Sequence, residues 1–235
     1  MRIYAVGDIH GMHETLEEVL FLIDQDIKQR PPAGDVLEIF LGDYVDRGPD
    51  SFGVLEALLS PTPEDRRRAC LLGNHEDAML SAMNAPEMEV RWMPFGGAAT
   101  CRSYGIDADG LAHNPKAIQT QLQAAVPEHH RRFLSALPRS LHIGDHLFVH
   151  AGIRPKVAMD AQNPHDLIWI REPFLSYGDP HPAHIVHGHT PVSMPDHRAH
   201  RTNIDTAAVY GGALTAAVFE GDSVRFLSVE TTRHA

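Results

Sequence analysis

Val36-Leu37-Glu38-Ile39-Phe40-Leu41-Gly42-Asp43-Tyr44-Val45-Asp46-Arg47-Gly48 joins a largely apolar run to a polar string that opens on Gly-Asp. A short apolar run ended by a turn signal reads as a buried strand. The same junction occurs upstream, where Arg2 to Val6 runs into Gly7-Asp8-Ile9-His10-Gly11. It recurs downstream, where Ala69 to Leu72 ends in Gly73-Asn74-His75-Glu76. Between these junctions, Thr15 to Ile27 sets Leu16, Val19, Leu20 and Ile23 at helical spacing, and Pro31-Pro32-Ala33-Gly34 breaks the chain. Ser51 to Leu59 reads as a helix with Ser51 as its N-cap. Strand, polar loop and helix in alternation predict an α/β core with its chemistry collected where strands end.

Further along, residues from about 87 to 138 read as a helical, cap-like insertion, in which Trp92, Phe95, Gly96-Gly97 and Tyr104 either line a pocket or pack internally. Strand patterning then returns. Leu141 to Ile143 and Leu147 to His150 flank a Gly144-Asp145 turn, and Ile185 to His187, Thr202 to Asp205, Leu214 to Phe219 and Val224 to Val229 follow without an obvious helix between them. Such a succession predicts an antiparallel portion. No internal repeat or linker divides the chain, so residues 1–235 read as a single domain.

The formal net charge is -11, from 20 Lys plus Arg against 31 Asp plus Glu. That balance argues against nucleic acid, whose backbone rewards clustered cations. It also means that any phosphate group must be drawn by a local positive centre. Two cysteines, Cys70 and Cys101, supply neither a disulfide framework nor a thiolate metal site and suit a reducing compartment. No signal-peptide pattern or bilayer-length apolar stretch occurs, so a cytoplasmic location without membrane attachment is expected.

Two histidine motifs complete the set: Val149-His150-Ala151-Gly152 and His187-Gly188-His189-Thr190. Carboxylate, imidazole and amide side chains together suit manganese, iron, zinc or nickel. His187 and His189 lie two apart, and Gly188 between them leaves open which one faces a site. Each motif alone is a weak signal. All five in this order, each after an apolar run, point to a metal centre.

These strings resemble the signature of the phosphoprotein phosphatase family, in the bacterial and phage-lambda-like branch of the calcineurin-like metallophosphoesterases. The likeness extends to Trp169-Ile170-Arg171-Glu172 and Asn203-Ile204-Asp205-Thr206. It implies a four-layer α/β (α+β) fold, with a central β-sandwich flanked by helices. It implies two divalent or trivalent ions, manganese first and iron or zinc next. Asp8 and His10 would hold one ion, Asp43 would bridge both, and Asn74, His150 and His189 would complete the second. Ions ~3.5–4 Å apart lower the pKa of a shared water, and the resulting bridging hydroxide would attack phosphorus in line. His75 would protonate the leaving oxygen with Asp46 orienting it, or would only orient substrate or water. Arg47 and Arg171 would clamp phosphate oxygens, with a surface salt bridge as the other reading of Arg171. Glu76 reads as the support of a metal-ligand loop or as a helix cap, Asp205 as a buried loop organiser, His129-His130-Arg131-Arg132 as a solvated helix face, and Trp169 as core.

The resemblance implies a hydrolase of phosphate esters, acting on phosphoproteins at Ser or Thr, with Tyr as a further target, or on a small phosphoester. Leu72 and Ala151 stand where the larger eukaryotic members carry Arg and Gly, and their C-terminal toxin-binding extension has no counterpart, so no regulatory subunit is implied. Symmetrical bis(5'-nucleosyl)-tetraphosphatases share Gly-Asp-x-Val-Asp-Arg-Gly and are the alternative, although they are usually longer and carry Asp where Glu76 stands. A non-catalytic phosphate or metal binder is the third reading. Retention of Asp43, Asp46 and His75 argues against it.

Overall fold

The computed structural model of the chain describes residues 1–85, 87, 92–110 and 114–231. Three strands, β1 (Arg2–Val6), β2 (Val36–Phe40) and β3 (Arg66–Cys70), run parallel in one sheet. Two later strands, β9 (Ala213–Glu220) and β10 (Ser223–Glu230), extend it antiparallel on the β1 side, giving the order β10-β9-β1-β2-β3. The second sheet contains β4 (Ser140–Ile143), β5 (His146–Val149), β6 (His184–His187), β7 (Asp196–His197) and β8 (Arg201–Asn203), in the order β4-β5-β6-β8-β7.

The pleat sorts β1 into two cores. Ile3 and Ala5 join Leu37, Ile39, Phe148, Val186 and Ile204 between the two sheets. Tyr4 and Val6 face the opposite way, against a helical layer. That layer contains α1 (His13–Gln29), whose Leu16, Val19 and Ile23 are buried, α2 (Ser51–Leu59) and α3 (Asn74–Asn84). It also contains α4 (Gly97–Ser103), α5 (Pro115–Ala125) and α6 (Glu128–Ala136). On the far face of the second sheet, Leu147, Val149 and Ile185 are covered by Ile153, Ile170 and Phe174 from the segment around the short helix α7 (Asp166–Trp169). The result is two sheets flanked by helices, as the resemblance implied.

Several readings change. The late strands are not simply antiparallel, because β5, β6 and β8 run parallel. The long segment 150–183 makes the crossover that parallel neighbours require, with little helix of its own. Asp50, not Ser51, caps α2, accepting from the Gly53 amide at 2.7 Å. Ser51 instead turns inward, where its Oγ accepts from the Asp46 amide at 3.0 Å. Of the cap-like segment read over 87–138, residues 88–91 and 111–113 lie outside the described residues, and so does His113.

Candidate active site

Strands β1 and β2 of the first sheet end beside strands β5, β6 and β8 of the second, and the loops at these ends form one site with the N-terminus of α3. Backbone strain is concentrated there. Five of the seven non-glycine residues with positive φ among the described residues are His10, Asp43, Asp46, Arg47 and His189. Left-handed backbone at non-glycine positions costs free energy and persists where surrounding structure over-determines it. Glycine permits two of the closest approaches. Gly42 sits at φ +105° with a Cβ position 2.6 Å from the Gly73 nitrogen, and a Cβ on Gly188 would lie 2.1 Å from an Asp8 carboxylate oxygen.

Asp43 is buried at the centre of the site. Its Oδ2 lies 3.5 Å from His10 Nε2, 3.4 Å from His150 Nε2 and 3.9 Å from His75 Nε2. Its Oδ1 accepts from the His75 amide at the start of α3, at 3.1 Å. A carboxylate at a helix N-terminus is favoured by the free N–H groups and the helix dipole. Glu76 fixes the Asp43 loop, accepting from the amides of Gly73, Asp43, Tyr44 and Val45 at 3.0, 2.9, 2.7 and 3.2 Å.

The imidazoles are oriented by their outer nitrogens. His10 donates Nδ1–H to the Val45 carbonyl at 2.9 Å, which leaves Nε2 as an acceptor, and the Arg47 guanidinium donates to it. His150 donates Nδ1–H to the Leu41 carbonyl at 3.0 Å and turns Nε2 toward Asn74 Oδ1 at 2.9 Å and Asp43. A ring nitrogen facing two oxygens requires a proton or another cation between them. Burial alone would lower the His150 pKa, but Asp43, Asp8 and Glu76 outweigh it and raise it to about 9. His189 Nε2 is buried with no hydrogen-bond partner, and burial with the nearby His150 lowers its pKa to about 3. Burial, reinforced by Asp205 and Asp43, pushes the Asp8 carboxyl well above its usual range.

These atoms gather into two groups whose ligand atoms lie within 4.8 Å of one another: His10 with Asp43 and His75, and Asp43 with His150 and His189. Asp43 belongs to both. The orphaned His189 nitrogen, the His150 nitrogen aimed at oxygens and the crowded carboxylates all fit a pair of bound cations. Asp8 borders these groups without completing one among the described residues, and its carboxylate accepts from the His189 amide at 3.1 and 3.2 Å. His75 sits in the first group, although the resemblance assigns it no ligand role.

His75 Nδ1 is 2.7 Å from Asp46 Oδ2, and both side chains are buried. Asp46 also accepts from Trp92 Nε1 at 2.8 Å and from Thr100 Oγ1 at 2.6 Å. Neither donor was singled out for this role, and no local signal marks them, since they stand 46 and 54 residues away in sequence. Arg47 reaches the site and stacks over the Tyr210 ring at 5.5 Å. Arg171 is exposed, within electrostatic reach of His189. His187 turns away from the site. Its ring contacts Phe174 and its Nε2 lies 3.4 Å from Arg201, so the pair His187/His189 resolves with His189 facing the centre. Asp205 organises its own loop, accepting from the Ala207 amide at 3.1 Å.

Trp169 is not core. It is only half-buried and lines a pocket of about 360 Å³ with Trp92, Phe95, His165, Asp77 and Ser81. The pocket borders the centre, because Phe95 lies 6.0 Å from the His75 ring and Trp169 lies 6.2 Å from the His189 ring. Tyr104 packs elsewhere, against Phe52 and His130.

Residues 1–222 match the family described as calcineurin-like phosphoesterases. The chain belongs to this family. It is a metallophosphoesterase and a hydrolase of phosphate esters, and the family works with a binuclear metal centre. The phosphoesterase is 29% identical over 229 residues to the asymmetrical bis(5'-nucleosyl)-tetraphosphatase PrpE of Oceanobacillus iheyensis, covering 93% of this chain and 89% of that one. It is 30% identical over 224 residues to serine/threonine-protein phosphatase 1 of Salmonella typhimurium, covering 92% and 90%. Its fold matches a crystal structure of a provisionally assigned diadenosine tetraphosphatase, with a TM-score of 0.66, 24% identity and coverage of 98% and 94%. Among the described residues, no helix is long and apolar enough to cross a membrane.

Proposed function

We propose that this phosphoesterase is a metal-dependent phosphomonoesterase acting on phosphoserine and phosphothreonine in proteins, and that His75 is its general acid. The observation carrying this reading is the buried His75–Asp46 contact of 2.7 Å beside Asp43. A seryl or threonyl oxygen leaves as a strongly basic alkoxide, so a positioned proton donor lowers the barrier. A nucleotide leaving through a phosphate oxygen is a much weaker base and needs that donor far less. With Nδ1–H held by Asp46, the carboxylate stabilises the imidazolium form of His75, which delivers its Nε2 proton to the leaving oxygen and becomes neutral.

Asp8, His10, Asp43, Asn74, His150 and His189 would hold the two ions, with Asp43 between them. When bound, the ions supply the attacking nucleophile and neutralise phosphate charge. Imidazole, amide and carboxylate suit manganese, which we propose first, and also iron or zinc. Arg47 and Arg171 bind the non-bridging oxygens and set the phosphorus in line, since guanidinium is always charged and offers paired donors.

A second reading, dinucleoside tetraphosphate hydrolysis, is favoured by the aromatic pocket beside the centre. Trp169 and Phe95 offer faces on which a nucleobase stacks, and Asp77 and Ser81 offer polar edges for its ring nitrogens. The tetraphosphatase named above carries the asymmetrical activity, whereas the motif resemblance suggested a symmetrical one. The test compares kcat/KM of the manganese-loaded enzyme on a phosphoserine peptide, a phosphotyrosine peptide and diadenosine tetraphosphate. Faster turnover of the phosphoserine peptide is expected. Cleavage of the dinucleotide at least about tenfold faster would install the second reading, and its products, ADP alone or ATP with AMP, would fix the symmetry.

A further inference from the structure

Outside the catalytic site, two of the residues read as a solvated helix face, His129 and His130, meet Glu56 of α2. Glu56 on α2 and the consecutive His129 and His130 on α6 bring ligand atoms within 4.8 Å of one another. His129 Nε2 is 2.8 Å and His130 Nε2 2.9 Å from the same Glu56 oxygen. His130 is 0% exposed, and although its Nε2 lies at hydrogen-bond distance from Glu56, the contact is not aligned as a hydrogen bond. Its other nitrogen, Nδ1, lies 2.7 Å from the Tyr104 hydroxyl. If the phenol oxygen accepts from Nδ1–H, the buried Nε2 presents its lone pair to a carboxylate. Two electron-rich atoms then face each other, and a cation between them would convert repulsion into coordination.

The chemistry around the cluster matches a metal site. Two imidazoles and one carboxylate are the donors of a three-ligand site for borderline divalent ions, zinc foremost. A hydrogen bond to the far nitrogen of a ligating histidine fixes its tautomer and raises its basicity, and Tyr104 stands in that position. The side chains of Glu56 and His129 are 45% and 55% exposed, which leaves an entry path and room for water as a fourth ligand.

We propose that Glu56, His129 and His130 form a further metal site, separate from the catalytic centre, that takes zinc or a chemically similar divalent ion. Its place in the fold gives it a consequence. Ser51 and Thr100, at the starts of α2 and within α4, both hold Asp46. Phe52 and Tyr104 pack at 5.4 Å beside the cluster. An ion tying α2 to α6 would stiffen the wall that positions the His75–Asp46 pair.

The experiment measures zinc stoichiometry by equilibrium dialysis, and the zinc-induced shift in Tm, on the full chain. Asp43→Asn, which weakens the catalytic centre, is compared with the double variants Asp43→Asn/His129→Ala and Asp43→Asn/Glu56→Gln. Both added substitutions are at exposed side chains, and circular dichroism checks that each variant is folded. The expected result is that each double variant binds about one zinc ion fewer, or binds it at least tenfold more weakly, and loses the corresponding part of the Tm shift. Equal zinc content and equal Tm shifts in all three proteins would overturn the proposal and leave the cluster as an ion pair.

Discussion

Asp46 shows how one side chain is held for a task. Its two oxygens accept from the Trp92 indole and the Thr100 hydroxyl and lie 2.7 Å from His75, and its amide is held by Ser51 and Thr100. With its other lone pairs so engaged, the carboxylate has one orientation left toward His75. Replacing His75 by Asn should leave metal content unchanged and lower kcat on a phosphoserine peptide by about 10²-fold or more, with a smaller loss on p-nitrophenyl phosphate, whose leaving group needs no proton. Equal losses on both substrates would argue against the acid role. The motif residues themselves were readable because each glycine-flanked string is local. Their supporting donors were not readable, since Trp92 and Thr100, 46 and 54 residues away, meet Asp46 only in the folded chain. His130 was misread for a similar reason. Its neighbours His129, Arg131 and Arg132 are polar and at least partly exposed, and the packing of Phe52, Tyr104 and His129 against its ring buries it.

Among the elements, β3 departs most from a sequence expectation. Arg66-Arg67-Arg68 carries no apolar signal, and only Ala69 onward reads as a strand. The strand begins at Arg66 because its neighbour β2 buries Glu38. Parallel pairing sets Glu38 opposite Arg68, whose Nε lies 3.0 Å from one carboxylate oxygen, while Arg66 reaches the other at 3.2 Å. The polar residues that hid the strand therefore neutralise the single charge inside an otherwise apolar β2. Breaking a buried pair leaves an uncompensated charge. Glu38→Ala should cost about 3 kcal/mol in urea unfolding at pH 7. A loss under about 0.5 kcal/mol would mean that the arginines reach solvent unaided. β1 and β2 were legible for the opposite reason, since strands covered on both faces read as nearly continuous apolar runs. Parallel pairing in the second sheet was illegible, because its crossover contains almost no helical periodicity.

At the scale of the molecule, charge is divided between the two ends of the first sheet. At the end away from the site, Asp26 of α1 accepts from Tyr4 of β1 at 2.8 Å, from Arg30 at 2.8 Å and from Arg225 of β10 at 2.8 and 3.0 Å. Burial alone would raise its pKa, but the bonds from Arg225, Tyr4 and Arg30 outweigh burial and hold it at about 2. Because the unfolded value is about 3.9, the stability Asp26 contributes is fully present above that pH and lost as pH falls toward 2. Asp26→Asn should therefore destabilise by about 2 kcal/mol at pH 7, with the gap to the parent protein narrowing below about pH 4. A gap that stays constant down to pH 3 would contradict this linkage. At the other end, loops from both sheets enclose Asp43 among imidazoles, where a chain of net charge -11 must still attract phosphate. The proposed mechanism centres on one carboxylate, Asp43, shared by two cations. The most direct test is metal analysis of the parent protein and Asp43→Asn after chelation and reloading with manganese. A pair of ions per chain is expected in the parent, with their loss from the variant and a fall in kcat/KM of more than about a hundredfold. A variant that keeps both ions and most of its rate would contradict the shared-carboxylate centre.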